Sequence, residues 1–347
     1  MSESARQRKR QTPKSGATIR MVAKEAGVST ATVSRVLTQS GTVKPELEER
    51  VRRAIEALGY EPNAAARGLS NGSLRNIGII MPDMTNPYFF HVVDQVTRGA
   101  SEDGYRVLMA SSYGNPDQEL ATALELRPQV DGLILLSSRI GASGLRELAR
   151  AKTPTVLVNR VEQGVDLPVA AVDHMAATMQ LCGHLFSLGH RKVVYLSGST
   201  LSWQDQERWK GMLMARHMGL ETVRVESEGT IESAYEAMDR ALGFKPTAIV
   251  AFNDLAAVGA LSRLQDLGIS VPDQMSLTGF DDIPLSRHIQ PHLTTVHSPT
   301  RELGDLAWNL MSQSLAGEAN LEVRYALAEL ILRDSTGPAA RSVASIQ

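Results

Sequence analysis

The sequence predicts an all-α head joined to an α/β body of two lobes, each lobe built on a parallel, doubly wound sheet. Three observations lead there: short helical patterns between residues 18 and 60, short apolar runs alternating with amphipathic stretches from residue 76 onward, and a charge that changes sign between the two regions. Residues 1–75 carry 14 Lys and Arg against 7 Asp and Glu, a balance of +7, whereas the remaining 272 carry 22 against 31, or −9. A basic end of that size is the electrostatic footprint of a nucleic-acid-binding module, and an acidic body is repelled by the same polyanion.

The 347 residues, 43% of them apolar, are enough for two or three separate cores. No run approaches the length of about 20 apolar residues that spans a bilayer. The first 17 residues are basic with no apolar run behind them, so no secretory signal is expected and the chain is placed in the cytoplasm. Cys182 is the single cysteine, which excludes an intramolecular disulfide and a cysteine-based zinc site and fits a reducing compartment.

Residues 1–17 read as a disordered basic tail. A helix from about residue 20 ends at Gly27, which tolerates a left-handed turn, and Ser29 stands where the next helix needs its N-cap. Val33, Val36 and Leu37 give the second helix one stripe to pack on Val22, Ala23 and Ala26. Pro45 opens a third helix, Leu47, Val51, Ala54, Ile55 and Leu58 mark its buried face, and Gly59 stops it. Two short helices around a tight turn plus a closing third describe a helix-turn-helix module over residues 18–60, with a plain three-helix bundle as the alternative. Residues 61–75 form a linker with material for a short helix that folds on binding.

Apolar runs at 77–81, 106–110, 132–136, 155–158, 169–172, 192–196, 222–225, 248–251 and 275–278 are those of strands buried on both faces by helices. Nine or ten strands exceed one ordinary sheet, so two lobes of about five are expected. Lobe one takes residues 76–174 and 297–324, lobe two residues 175–296 and 325–335, and 336–347 are a tail.

The run from Thr18 to Leu37 resembles the head of the lac repressor/galactose repressor family of bacterial transcription regulators. The resemblance continues through Leu58-Gly59-Tyr60, Pro62 to Leu69, Asn86-Pro87-Tyr88-Phe89-Phe90, Val130-Asp131-Gly132, Asn253-Asp254, Gly279-Phe280-Asp281-Asp282 and Leu293-Thr294-Thr295-Val296, in order along residues 18–335. It implies a periplasmic-binding-protein-like body, a homodimer (with a dimer of dimers left open), a near-palindromic double-stranded operator, and a small-molecule effector of sugar type. It also implies a repressor, although the residues leave open whether the effector induces or co-represses. The rival readings are a sugar-binding receptor-type protein and a sugar-modifying enzyme on the same two-lobed fold.

By this resemblance Thr30, Ala31 and Arg35 occupy base-reading positions on the recognition helix. The Arg35 fork can donate to O6 and N7 of one guanine, whereas Ala31 offers only apolar contact. Ser29, Thr32, Ser34 and Asn63 are placed for phosphates. Ala66 and Arg67 belong to the hinge, where Leu69 is the wedge that enters the minor groove and therefore requires two chains. In the body, Tyr88 and Phe89 after Asn86 suggest a stacking wall at the carboxyl edge of the first sheet, with Phe90 turned to the core. Asn159, Arg160, Asn253 and Asp281 at strand ends, and Arg208 in a helix of the second lobe, are expected to meet a hydroxyl-rich ligand. Asp254 reads as a structural group. No catalytic residue, metal ligand or cofactor is expected, since the sequence has no Walker loop, no full dinucleotide fingerprint and no nucleophile elbow.

Overall fold

The computed structural model describes residues 17–38, 43–60, 73–319 and 322–339. The chain divides into two compact units, Met1–Leu74 and Arg75–Gln347. In the first, α1 (Ile19–Ala26), α2 (Thr30–Thr38) and α3 (Pro45–Leu58) enclose a core of Val22, Ala23, Ala26, Val33, Val51 and Ala54. Gly27 ends α1 at φ 62°, where its N–H reaches the carbonyls of Ala23 and Lys24. A side chain there would be strained, so the tight turn that sets α2 across α1 depends on glycine. The Ser29 hydroxyl accepts the Thr32 N–H at 3.1 Å and caps α2.

In the second unit, β1 (Asn76–Met81), β2 (Arg106–Ser111), β3 (Gly132–Leu136), β4 (Thr155–Val158) and β5 (Val169–Val172) form a parallel sheet, joined at one edge by β11 (Arg324–Ala326) in the order β11-β5-β4-β3-β1-β2. The second lobe holds β6 (Lys192–Leu196), β7 (Glu221–Val225), β8 (Ala248–Ala251) and β9 (Ser276–Thr278) in the parallel order β7-β6-β8-β9. A two-stranded antiparallel ribbon pairs β10 (Thr295–His297) with β12 (Glu329–Ile331).

Helix α4 (Pro87–Glu102) follows β1, and helix Thr300–Leu315 packs beside it, so that Val92, Val96, Leu303, Trp308 and Met311 meet Ile77, Ile79 and Ile134 in one core. After crossing from the second lobe, the chain thus returns a helix and the edge strand β11 to the first sheet. That strand runs to Ala326, past the expected lobe boundary at 324. The three residues Arg-Tyr-Ala are too few for a strand period to be read, and the same brevity hides β10 and β12.

Phe90 is 45% exposed and not in the core, a correction to the sequence reading. The buried stripe of α4 is Tyr88, Phe89, Val92, Val93 and Val96, and residue 90 falls off that stripe toward solvent. Among the described residues no helix is long and apolar enough to cross a membrane.

Candidate effector cleft and DNA-reading helix

The carboxyl ends of the strands in both lobes face a cleft of about 440 Å³. This is where open parallel sheets present loop residues and helix N-termini to ligands. Asn86, Tyr88, Phe89, Arg208, Asn253 and Asp281 all line it, having come from four separate stretches of chain.

Arg208 is the centre of the cleft floor. Its side chain is 2% exposed, and its guanidinium lies 3.5 Å from the Phe280 ring centroid and 4.6 Å from that of Phe252. Nη1 donates to the Phe252 carbonyl, while Nη2 points to Asp281 Oδ1 at 3.4 Å and to His174 Nδ1 at 3.5 Å. A planar cation stacked between rings has its orientation fixed before a ligand arrives. His174 is buried against Trp203 and Phe280, and burial together with Arg208 holds it neutral, well below the usual histidine range.

Asp281 sits at φ 108°, a conformation that costs energy for any residue with a side chain. Its neighbour Asp282 holds it there. The Asp282 carboxylate accepts from Arg287 at 2.7 Å, Arg333 at 2.5 Å, Ser286 at 3.0 Å and His297 at 3.2 Å, clamping the segments that pass between the lobes. Burial pushes the Asp281 carboxyl up to about 6, with Arg208 pulling the other way. A hydroxyl-bearing ligand at Asp281 finds its stronger, two-oxygen acceptor only in the ionised form. Affinity for a neutral polyol is therefore full above that value and falls about tenfold per pH unit below it, measured by calorimetric titration from pH 8 to pH 5.

Asn86 and Asn253 cap helices: their side-chain oxygens accept the N–H groups of Tyr88 at 3.0 Å and Ala256 at 2.8 Å. Both residues also line the cleft. Tyr88 and Phe89 meet edge to face with centroids 5.3 Å apart.

Asn159 and Arg160 do not line the cleft, contrary to expectation. Asn159 donates to the Tyr88 hydroxyl at 2.6 Å and accepts the Val172 N–H at 2.9 Å, so it positions Tyr88 from behind. Arg160 is buried and paired with Glu162 at 2.5 Å. Asp254 accepts from the Ile283 N–H and the Thr295 hydroxyl, a structural use of a buried carboxylate. Asp205 is likewise internal, bound by Tyr195, the Gly198 N–H and Arg224.

The sequence reading missed Arg139, Ser199, Gln204, Glu228, Thr230 and Tyr113, which also line the cleft. They follow β3, β6, β7 and β2. Treating every strand end as a candidate, and not only those of β4, β8 and β9, finds them. A larger hollow of about 650 Å³ lies beside His297 and Arg301, but three of its carboxylates, Asp94, Asp281 and Asp282, are already paired with arginines, and among the described residues no Phe, Tyr or Trp lines it.

On the head, Thr30, Ala31 and Arg35 are exposed on α2, and Thr32 and Ser34 are half-buried beside them. The Ser29 oxygen accepts the Thr32 N–H, and its hydroxyl shares a hydrogen bond with the Thr32 hydroxyl at 3.0 Å, in which either group can donate. Arg35 enters no ion pair among the described residues. Asn63, Ala66, Arg67 and Leu69 lie outside the described residues. Among the described residues no group of three or more His, Cys, Asp or Glu is arranged to hold a metal.

A helix-turn-helix head and a two-lobed body with a polar cleft at its strand ends define a DNA-binding protein with a ligand-sensing domain. Residues 18–63 match the family model described as bacterial regulatory proteins, lacI family, and residues 182–336 match a periplasmic binding protein-like domain. The chain is 33% identical to catabolite control protein A of Priestia megaterium, over 87% of this chain and 93% of that one. It is 32% identical to the regulator GalS of Salmonella typhimurium, over 91% and 95%. The lac repressor dimer bound to operator and the anti-inducer ONPF superposes with a TM-score of 0.80 at 25% identity, covering 93% of this chain and all of that one. The complex of the regulator CelR with cellobiose gives 0.70 at 27% identity, covering 92% and 99%. The chain belongs to the lacI family and is a DNA-binding transcriptional regulator.

Proposed function

We propose that the cleft binds a sugar or sugar derivative and that its occupancy sets the affinity of a homodimer for a near-palindromic operator, the chain acting in the cytoplasm and without turning its ligand over. The observation that carries this is the Arg208–Asp281 pair, held at 3.4 Å on a floor of aromatic rings. A fixed guanidinium supplies parallel donors and a carboxylate supplies acceptors, the complement of neighbouring hydroxyls, while Phe252 offers an apolar face to a ring. The operator-bound lac repressor and the cellobiose-bound CelR support the same assignment by their likeness to this chain. Thr30, Ala31 and Arg35 then read base edges, with Ser29, Thr32 and Ser34 on phosphates.

The two sites exchange free energy. A coupling of about 1–3 kcal/mol changes operator affinity about 5- to 150-fold, and the operator changes effector affinity by the same factor. A thermal-shift screen of pentoses, hexoses and their derivatives identifies the effector, because a ligand that binds only the folded state raises Tm. Fluorescence anisotropy on a fragment carrying the operator then measures the coupling. A sugar that raises Tm without altering operator affinity contradicts the regulatory reading, and a set in which none raises Tm contradicts the cleft.

A further inference from the structure

Arg139 follows β3 on the first lobe's side of the cleft. Its backbone N–H is fixed by Glu119 Oε2 at 2.8 Å, but its guanidinium Nη1 is buried with no hydrogen-bond partner and enters no ion pair among the described residues. Burial lowers its pKa to about 10, with the carboxylates of Glu119, Asp205 and Glu228 opposing that shift through space and none of them within ion-pair distance among the described residues. Glu119 stands behind it and shares its field, but the carboxylate is spent on the Arg139 backbone N–H, burial raises its pKa, and Oε1 has no hydrogen-bond partner among the described residues.

The other charges of the cleft do not fill this role. Arg208 and Asp281 compensate one another. Asp83 is spent on the Thr85 N–H and hydroxyl at 2.6 and 2.7 Å, and Glu228 is exposed, acting on Arg139 through space without an ion pair. A buried guanidinium donor left unpaired is costly, and its planar fork matches the oxygens of a carboxylate or a phosphate.

From this geometry we propose that the effector is an anionic sugar, a polyol bearing a carboxylate or phosphate that Arg139 receives while its hydroxyls meet Arg208 and Asp281. This rests on the reading of the cleft as the effector site. It makes Arg139 the residue that separates acidic from neutral sugars.

The test is calorimetric titration of the full chain with matched pairs: D-ribose and D-ribose 5-phosphate, D-glucose and D-glucose 6-phosphate, D-glucose and D-gluconate or D-glucuronate. At least one acidic member is expected to bind tenfold or more tightly than its neutral parent, the phosphate and carboxylate arms telling the two sources apart. Arg139→Met is expected to erase that preference, so that acid and neutral parent bind alike, and Arg139→Lys to restore part of it, since the charge returns without the fork. Neutral parents binding as tightly as their acids in the unaltered protein overturn the proposal whatever the variants do. A preference that survives Arg139→Met at an unchanged Tm overturns it as well. Failure of neutral and acidic sugars alike overturns the cleft reading with it.

Discussion

Asp281→Asn leaves operator binding at its ordinary strength and weakens the effector response. The change keeps the shape of the side chain but takes away the charge that faces Arg208 Nη2 at 3.4 Å, in a place where both side chains are almost wholly enclosed. Truncating one member of a buried, hydrogen-bonded charge pair costs about 2–5 kcal/mol, mostly through the partner left without compensation. Part of that cost falls on the free body and lowers its Tm. The remainder falls on the complex, because an amide offers one acceptor oxygen where the carboxylate offers two. With about half of the cost falling on the complex, an effector affinity lower by about 5- to 60-fold follows, by the arithmetic of about 1.4 kcal/mol per decade. The readout is a pair of measurements on one preparation: calorimetry with the effector, and anisotropy with operator DNA. An unchanged effector affinity moves the site elsewhere, and a loss of both activities makes Asp281 a folding residue. The second outcome has a physical route, since Asp281 stands at φ 108° and donates its N–H to the Val296 carbonyl between the lobes.

The fold was legible in the sequence wherever an element was long enough to show a period or a stop signal. Gly27, Ser29, Pro45 and Gly59 delimit the head helices because each has a conformational or capping reason to stand there, and the structure uses all four for those reasons. The nine apolar runs fall on β1 to β9: the central strands are buried on both faces, while the edge strands β2 and β7 are partly exposed yet keep enough apolar residues to show. The three-residue strands β10, β11 and β12 carry no such pattern. They are fixed by what the chain has already built, a sheet edge at β5 and the passage between lobes.

The site was legible in part, for a related reason. Asn253 and Asp281 fall at strand ends, where sheet topology alone directs a side chain to a cleft, and Arg208 lies in the helix that follows β6. Asn159 and Arg160 occupy an equivalent strand end, yet their hydrogen bonds are taken by Tyr88, Val172 and Glu162, partners that no local pattern reveals. Arg139 shows the converse. Its place after β3 is unremarkable in sequence, and only the absence of a partner for Nη1 among the described residues, with Glu119 behind it, gives it meaning.

Arg35→Ala leaves effector binding intact and abolishes discrimination between the operator and unrelated DNA. Arg35 is exposed on α2, five residues from Thr30, and its side chain is bound to no carboxylate among the described residues, so the fork is available to a guanine edge. A bidentate arginine contributes about 1–3 kcal/mol of discrimination against the wrong base. A dimer presents the residue twice, once in each half-site, and well-separated contributions add, so the loss in specific affinity doubles in free energy to about 2–6 kcal/mol. Non-specific binding, which depends on the number of neutralised phosphates, changes little, and the slope of log affinity against log salt is nearly preserved. The head's own stability is also preserved, because its core is Val22, Ala23, Ala26, Val33, Val51 and Ala54, which Arg35 does not join. Anisotropy titrations of operator and scrambled fragments at two salt concentrations separate these terms. An operator preference that survives the substitution assigns the reading of bases to Thr30 and Ala31 alone, whose hydroxyl and methyl groups supply less discrimination than a guanidinium fork.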